Sequence, residues 1–328
     1  MGVTQTMRVT AVHKHEWELD FGTPAQLAGR FRHALNDPAE MPVVGDYVQV
    51  TGERPALITA VEPRRGLLAR KRPGDVRNDA VVEQPIAANI DIALLAMAVG
   101  EDFSLRRLER YLTLAWDSGA TPVVVLTKAD RDPAALPDHL AHVQQVALGA
   151  ETVVTSSHTG LGLDALRDHL RAGTTAILLG SSGVGKSSLV NALAGEDVQA
   201  VTDVRDFDEK GRHTTTVRRL LELPWGAFLV DTPGLRELQL WGDEDSLVGA
   251  FPDVEQLAQM CRFTDCTHES EPGCAVRDHL PEERLESWRR LRRELAYLAR
   301  KTDGAAARAE RKKWKSVAKA QRRLTRGY

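Results

Sequence analysis

The sequence predicts a multidomain protein in which a small β-barrel is followed by an α/β domain and then by an α-helical domain. Three observations carry this reading. Short strand-like runs separated by turn residues fill positions 1–70, apolar runs alternate with helical stripes from Ile90 onward, and every cysteine of the chain falls between Cys261 and Cys274. The length of 328 residues agrees, since a domain takes roughly 150 residues.

The barrel comes first. Met7 to Val12, Trp17 to Phe21, Leu27 to Arg32, Val48 to Thr51 behind Gly45-Asp46, Leu57 to Val61 and Leu67 to Arg70 are strand candidates by composition and turn spacing. Five or six short strands suit an OB-fold, which often binds oligonucleotides. An SH3-like barrel or a scaffold meander has the same periodicity. The barrel is assigned to residues 1–73, and Arg70-Lys71-Arg72-Pro73-Gly74-Asp75 reads as a linker.

The α/β domain, assigned to residues 85–245, follows. Ile92 to Val99 reads as a buried parallel strand, and Leu105, Leu108, Leu112 and Ala115 mark one helix face. Next come a strand over Pro122 to Leu126, a helix across Leu140 to Ala147, a strand over Thr152 to Val154 and a helix over Leu163 to Leu170. Ala176 to Leu179 and Ser187 to Ala194 complete a strand–loop–helix unit. Such alternation implies a parallel sheet with ligands at the carboxyl ends of its strands.

The loop in that unit is Gly180-Ser181-Ser182-Gly183-Val184-Gly185-Lys186-Ser187. Its glycines allow a tight turn whose N–H groups face phosphates at a helix N-terminus. Lys186 is placed to bridge the β- and γ-phosphates and the Ser187 hydroxyl to ligate Mg²⁺, with Ser188 beside it also contacting nucleotide.

Thr127-Lys128-Ala129-Asp130 ends the strand Val123-Val124-Val125-Leu126. An ionised Asp130 accepts from both N1–H and the exocyclic amine of guanine, and adenine offers no such donor pair. Lys128 can pack its stem over the base or the ring oxygen. Thr155-Ser156-Ser157 ends the next strand, where a second base-contacting loop belongs. This guanine motif precedes the phosphate loop, the reverse of the order in an ordinary P-loop GTPase. The domain is therefore read as a circularly permuted P-loop GTPase domain.

Asp231-Thr232-Pro233-Gly234 follows the apolar strand Ala227 to Val230. An acid at this strand end holds Mg²⁺, often through water, and the Gly234 N–H can sense the γ-phosphate. Gly211-Arg212-His213-Thr214-Thr215-Thr216 would be the first switch, with one threonine reaching Mg²⁺. Leu235 stands where a water-orienting glutamine commonly follows the switch glycine, which predicts slow intrinsic hydrolysis. His213 is the nearest residue able to position water, or alternatively a stabiliser of its own loop.

The last domain is assigned to residues 246–328. Cys261, Cys266, His268 and Cys274 are spaced C-x4-C-x-H-x5-C, a closed tetrahedral set for one structural Zn²⁺. Leu285, Trp288, Leu291, Leu295 and Leu298 form a helical stripe to pack on this knot. From Arg289 to Tyr328 there are 15 Lys and Arg against 3 acids, a net +12 on a chain of net −3, so residues 1–288 carry −15. A basic arm on an acidic body suits a polyanionic partner, and a solvated charged helix has the same composition. Trp314, within Lys312-Lys313-Trp314-Lys315, offers either a base stack or an anchor to the protein itself.

No apolar run reaches the length of about 18 residues that a membrane span needs, and no basic segment with an apolar core opens the chain. Three cysteines argue against a disulfide framework. A cytoplasmic monomer without membrane contact is expected.

Together these residues resemble the ribosome small subunit-dependent GTPase A family of circularly permuted GTPases. The resemblance rests on Pro85-Ile86-Ala87-Ala88-Asn89-Ile90-Asp91, the Thr127 to Asp130 and Gly180 to Ser187 motifs, Gly211 to Thr216, Asp231 to Gly234 with Arg236-Glu237, and the Cys261 to Cys274 pattern. It implies an OB-fold, a permuted GTPase domain and a zinc domain. It also implies a role in late maturation of the 30S ribosomal subunit, contact with 16S rRNA, and GTP hydrolysis to GDP stimulated by that particle. By motif match, Thr215 is the switch Mg²⁺ ligand and His213 the catalytic residue beside Lys186. Leu235 also fits the family, whereas Thr127 replaces its usual asparagine.

Two other classes fit parts of the pattern. An RNA-binding assembly chaperone could keep the nucleotide as a structural ligand, and a P-loop kinase or transferase would use ATP. Asp130 argues against the second.

Overall fold

The computed structural model describes residues 4–13, 16–35, 37–52, 54–71, 83–100, 102–196, 218–231 and 244–300. Five strands close the barrel: β1 (Gln5–His13), β2 (Glu16–Leu19), β3 (Thr23–Leu27), β4 (Tyr47–Thr51) and β5 (Ala56–Val61). Their order is β1-β2-β3-β5-β4 with β4 pairing back to β1, and only β3 and β5 run parallel. This is the OB-fold arrangement, a Greek-key barrel. Alternate residues fill it, among them Val9, Trp17, Leu19, Ala25, Val48, Val50 and Ile58, as the two-residue repeat of a strand requires.

Two expectations for the barrel need correction. Leu27 to Arg32 is not a strand: β3 ends at Leu27, and Gly29–Ala34 forms helix α1. Phe31 packs on the barrel core while Arg30, Arg32 and His33 face outward, so tertiary packing overrides the strand-like alternation. Leu67–Lys71, strand β6, pairs not with the barrel but with β7 (Glu83–Ala88). Arg70 and Lys71 of the expected linker lie in that strand, and 72–75 fall outside the described residues.

The α/β domain contains β8 (Ile92–Ala98), α2 (Leu105–Asp117), β9 (Thr121–Thr127), α3 (Leu136–Val146), β10 (Glu151–Val154), α4 (Leu163–His169), β11 (Thr175–Leu179), α5 (Lys186–Ala194), β12 (Arg218–Glu222) and β13 (Phe228–Asp231). The strand order is β10-β9-β8-β11-β13-β12, parallel except for β12. Near-continuous apolar runs in β8, β9 and β11 are buried throughout because helices cover both faces. Helices α2 and α3 pack into one core and α4 and α5 into the other.

The barrel and this sheet are continuous. β1 pairs antiparallel with β12, matching Ala11 to Arg219 and Val12 to Arg218. Beside that seam the Arg8 guanidinium, 5% exposed, donates to the Thr175 hydroxyl at 2.5 Å and lies over the Phe228 ring at 4.9 Å. Its burial lowers its pKa. Asn89, in the left-handed region at φ 56°, donates to the Gly45 carbonyl at 3.1 Å and accepts from the Arg65 N–H at 2.8 Å. A Cβ on Gly45 would sit 2.2 Å from the Ala88 carbonyl oxygen, so this close approach requires glycine.

The C-terminal part contains α6 (Pro252–Ala258), α7 (Ala275–His279) and α8, helical over 282–300. The predicted stripe Leu285, Trp288, Leu291, Leu295 and Leu298 is buried, in one core with Leu108 and Leu112 of α2 and Cys274 and Val276 of the knot. Full burial of each leucine contributes about 1.5–3 kcal/mol, so α8 clamps the knot to the α/β domain. No helix among the described residues is long and apolar enough to cross a membrane.

Candidate nucleotide site and metal centre

The carboxyl ends of adjacent parallel strands line up the motifs. From one side they are Thr155-Ser156 after β10, Thr127 to Asp130 at the end of β9, Asp102 after β8, the Gly180 to Ser187 loop after β11, and Asp231 at the end of β13. This is the edge where α/β sheets bind ligands.

The phosphate loop is tightly closed. Gly183 and Gly185 have φ of 78° and 99°, and a Cβ on Gly180 would meet the Ala96 carbonyl oxygen at 2.8 Å. Val184 is buried and pins the loop, while Ser182 and Gly183 stay exposed. The Lys186 ammonium donates to the Gly180 and Ser181 carbonyls at 2.9 and 2.6 Å, folded over the cradle at the start of α5. Ser187 and Ser188 occupy the first turn of that helix, half-buried.

Two bonds tie the base-reading loop to this cradle. The Thr127 hydroxyl donates to the Val184 carbonyl at 2.6 Å, and the Lys128 ammonium donates to the Gly183 carbonyl. Lys128 sits at φ 58°, with its Cε 3.6 Å from where a Cβ on Gly185 would lie. Loss of hydration and the neighbouring Arg131 lower its pKa, opposed by Asp102. Asp130 is exposed, and the Ser156 hydroxyl hydrogen-bonds its carboxylate, holding it below the usual carboxylate range. Ser156 itself is fully buried and accepts from the Thr159 N–H at 3.2 Å, which leaves its own proton free to point at Asp130.

The backbone of Asp231 ends β13 on the far side of the phosphate-loop strand. Its side chain lies outside the described residues, as do His213, Thr215, the 211–216 loop, Gly234, Leu235 and the tail with Trp314.

The cysteine cluster assembles as its spacing predicts. One ligand atom from each of Cys261, Cys266, His268 and Cys274 lies within 4.8 Å of all the others. Tetrahedral Zn²⁺ with Zn–S of about 2.3 Å places its sulfurs about 3.8 Å apart. Cys261 and Cys274 Sγ are 4.0 Å apart, and His268 Nδ1 is 3.6 and 3.5 Å from them, so the residues fit the ion. Burial raises the Cys261 thiol pKa, but N–H donors on Val276 and Ala275 outweigh it and pull the thiol below its usual value. Desolvation, aided by Arg292, lowers the His268 pKa and keeps the imidazole neutral, as a ligand must be. His268 takes the left-handed region at φ 62°, its carbonyl held by the Arg289 guanidinium, while Arg292 donates to the Thr267 carbonyl at 3.1 Å. Arg289 and Arg292, counted in the basic arm, therefore brace the knot.

Sequence reasoning missed Asp102, whose carboxylate accepts from the Ser181 hydroxyl at 2.8 Å. Its place after β8, between the two motif-bearing strands, was the available signal. It also missed Glu109, 2% exposed in α2, which accepts from Arg284 of α8 at 2.7 Å and from Ser287.

A Thr-Lys-Ala-Asp loop hydrogen-bonded to a glycine-rich loop that follows it in the chain is the arrangement of a circularly permuted P-loop GTPase. The family model for the RsgA GTPase matches residues 61–241. The chain is 44% identical over 327 residues to small ribosomal subunit biogenesis GTPase RsgA 1 of Listeria innocua serovar 6a, covering 96% of this chain and 90% of that protein. It is 47% identical over 290 residues to small ribosomal subunit biogenesis GTPase RsgA of Streptomyces avermitilis, covering 85% and 76%. The fold is similar to YjeQ from Thermotoga maritima, with TM-score 0.67, 26% identity, and coverage of 90% of this chain and 99% of that one. It is also similar to YloQ, a circularly permuted GTPase, with TM-score 0.62, 25% identity and coverage of 90% and 96%. The chain belongs to the RsgA GTPase family.

Proposed function

We propose that this GTPase binds the small (30S) ribosomal subunit in the cytoplasm, assists its late maturation, and hydrolyses GTP to GDP and phosphate with stimulation by the subunit. The observation that carries this reading is the Thr127–Val184 and Lys128–Gly183 linkage, which joins a guanine reader to a phosphate cradle in one preformed site. The names of relatives aligned over most of the chain supply the particle.

In this reading Asp130 accepts from guanine, Lys128 packs on the base, and Ser156 orients Asp130. The N–H groups of 180–188 and the Lys186 ammonium hold the phosphates. Ser187 and Thr215, with Asp231 behind them, provide the oxygen ligands for Mg²⁺, which neutralises phosphate charge when bound. Gly234 senses the γ-phosphate and His213 positions the attacking water. Cys261, Cys266, His268 and Cys274 hold one structural Zn²⁺. The barrel and the basic tail contact 16S rRNA, mostly at phosphates. The chaperone alternative, in which nucleotide is only structural, is not favoured in a family of GTPases.

The order of elements gives a switch. The 197–217 segment leads directly into β12, and β12 pairs with β1 of the barrel. Contacts of GTP with His213 and Thr215, just before β12 in the sequence, would bias the barrel through this pairing, so the GTP form binds the subunit and hydrolysis releases it. Co-sedimentation with purified 30S subunits tests this with GDP or a non-hydrolysable GTP analogue at increasing salt. Tighter binding with the analogue, weakening steeply with salt, is expected. Equal retention in both states would contradict it.

A further inference from the structure

Asp102 follows β8, the strand between those that carry the Thr127 to Asp130 and Gly180 to Ser187 loops, yet none of the roles above uses it. Gly100 has φ 115°, and the Phe103 N–H donates to the Gly100 carbonyl at 3.1 Å. Asp102 reaches the phosphate loop. Both Asp102 carboxylate oxygens lie 3.2 Å from one Arg107 nitrogen, and Oδ2 accepts from Ser181 Oγ at 2.8 Å.

A carboxylate beside an anion-binding loop is unfavourable unless a cation offsets it, and Arg107 does so here. The Ser181 carbonyl also accepts from the Lys186 ammonium, at 2.6 Å. Its side chain is fixed by Asp102 and its main chain fixes the phosphate lysine. We propose that Asp102 is a positioning residue for GTP turnover, acting through Ser181 to hold the phosphate loop and Lys186 in their binding geometry. The proposal rests on the GTPase reading of this site. Preorganised donors stabilise charge without reorganising during the reaction, so a loosened loop weakens both nucleotide binding and catalysis. The Asp102 side chain is 51% exposed, and exposed ionic contacts contribute little to global stability. Turnover therefore separates positioning from a merely structural role.

The test measures kcat and KM for GTP, affinity for a fluorescent GDP analogue, and the thermal midpoint. The variants are Asp102→Ala, Asp102→Asn, Ser181→Ala and the Asp102→Ala/Ser181→Ala double. Each alanine variant should lower kcat/KM about fivefold, the scale of one charge-assisted hydrogen bond in a solvated site. The double variant should be no worse than either single, and Asp102→Asn, which keeps an acceptor oxygen, should recover most of the loss. Thermal midpoints should not move. Wild-type kinetics and GDP affinity in Asp102→Ala would overturn the proposal, as would losses that multiply in the double variant. Failure of the underlying GTPase reading would show separately, as absence of GDP binding by the wild type.

Discussion

The Thr127 hydroxyl reaches across to the Val184 carbonyl at 2.6 Å, joining the end of β9 to the middle of the phosphate loop. Thr127 is buried, and its hydroxyl also lies 3.3 Å from the Met97 carbonyl. A threonine thus supplies the inter-loop tie. Thr127→Val keeps the shape and removes the donor, leaving a buried carbonyl short of a partner at about 1–3 kcal/mol. Affinity for GDP, measured by fluorescence titration, should fall together with the thermal midpoint. Thr127→Asn should retain binding, because its amide can donate to the same carbonyl.

Guanine recognition should tolerate acid. The Ser156 hydrogen bond lowers the Asp130 pKa, and in the proposed role the ionised form is the one that accepts from guanine. Its contribution is complete above the ordinary carboxylate range and is lost only as pH falls through the lowered folded value. Ser156→Ala should raise that value. Its GDP affinity, titrated between about pH 4 and 7, should fall further behind wild type as the pH drops. A constant ratio across that range would mean Ser156 acts by packing alone.

The α2–α8 contact should be the most sensitive polar site in the described residues. Glu109 and Arg284 side chains are 3% and 5% exposed, and Arg284 also binds Asp253 at 3.0 Å and lies over Phe251 at 4.1 Å. Removing one partner of a buried pair costs about 3–5 kcal/mol, so Glu109→Ala should lower stability by that amount in chemical denaturation. Glu109→Leu combined with Arg284→Met should recover part of the loss, since neither member of the fully buried pair is then left alone, while Asp253, 20% exposed, still loses its arginine partner.

Metal removal should reach beyond the knot. Zinc content should be one per chain and fall in Cys274→Ser. Cys274 shares a core with Leu108 of α2 and Leu285 of α8, so chelation should lower the main unfolding transition seen by calorimetry. A separate low-temperature transition, with the main one unmoved, would show that the knot is an independent unit.

Features set by local chemistry were legible before the structure. The apolar runs of β8, β9 and β11, the glycines of the 180–187 loop and the clustering of Cys261, Cys266, His268 and Cys274 each follow from neighbouring residues. What escaped depends on distant partners. α1 reads as a strand until Phe31 meets the barrel core, and β6 finds β7 rather than the barrel. The Arg218–Glu222 strand carries no strong pattern because it is held between β13 and β1. Glu109 lies at helical spacing from Leu105 and Leu112, and only Arg284, 175 positions later, explains how a carboxylate is buried there. Asp102 and Ser181 are 79 positions apart and meet only because β8 and β11 are neighbours.

The central claim is tested most directly by GTP turnover of the purified protein, alone and with 30S subunits, beside a Lys186→Ala control. Slow turnover alone, strongly accelerated by the subunits and abolished in the control, is the result expected of a subunit-activated GTPase. Turnover that the subunits leave unchanged would contradict it.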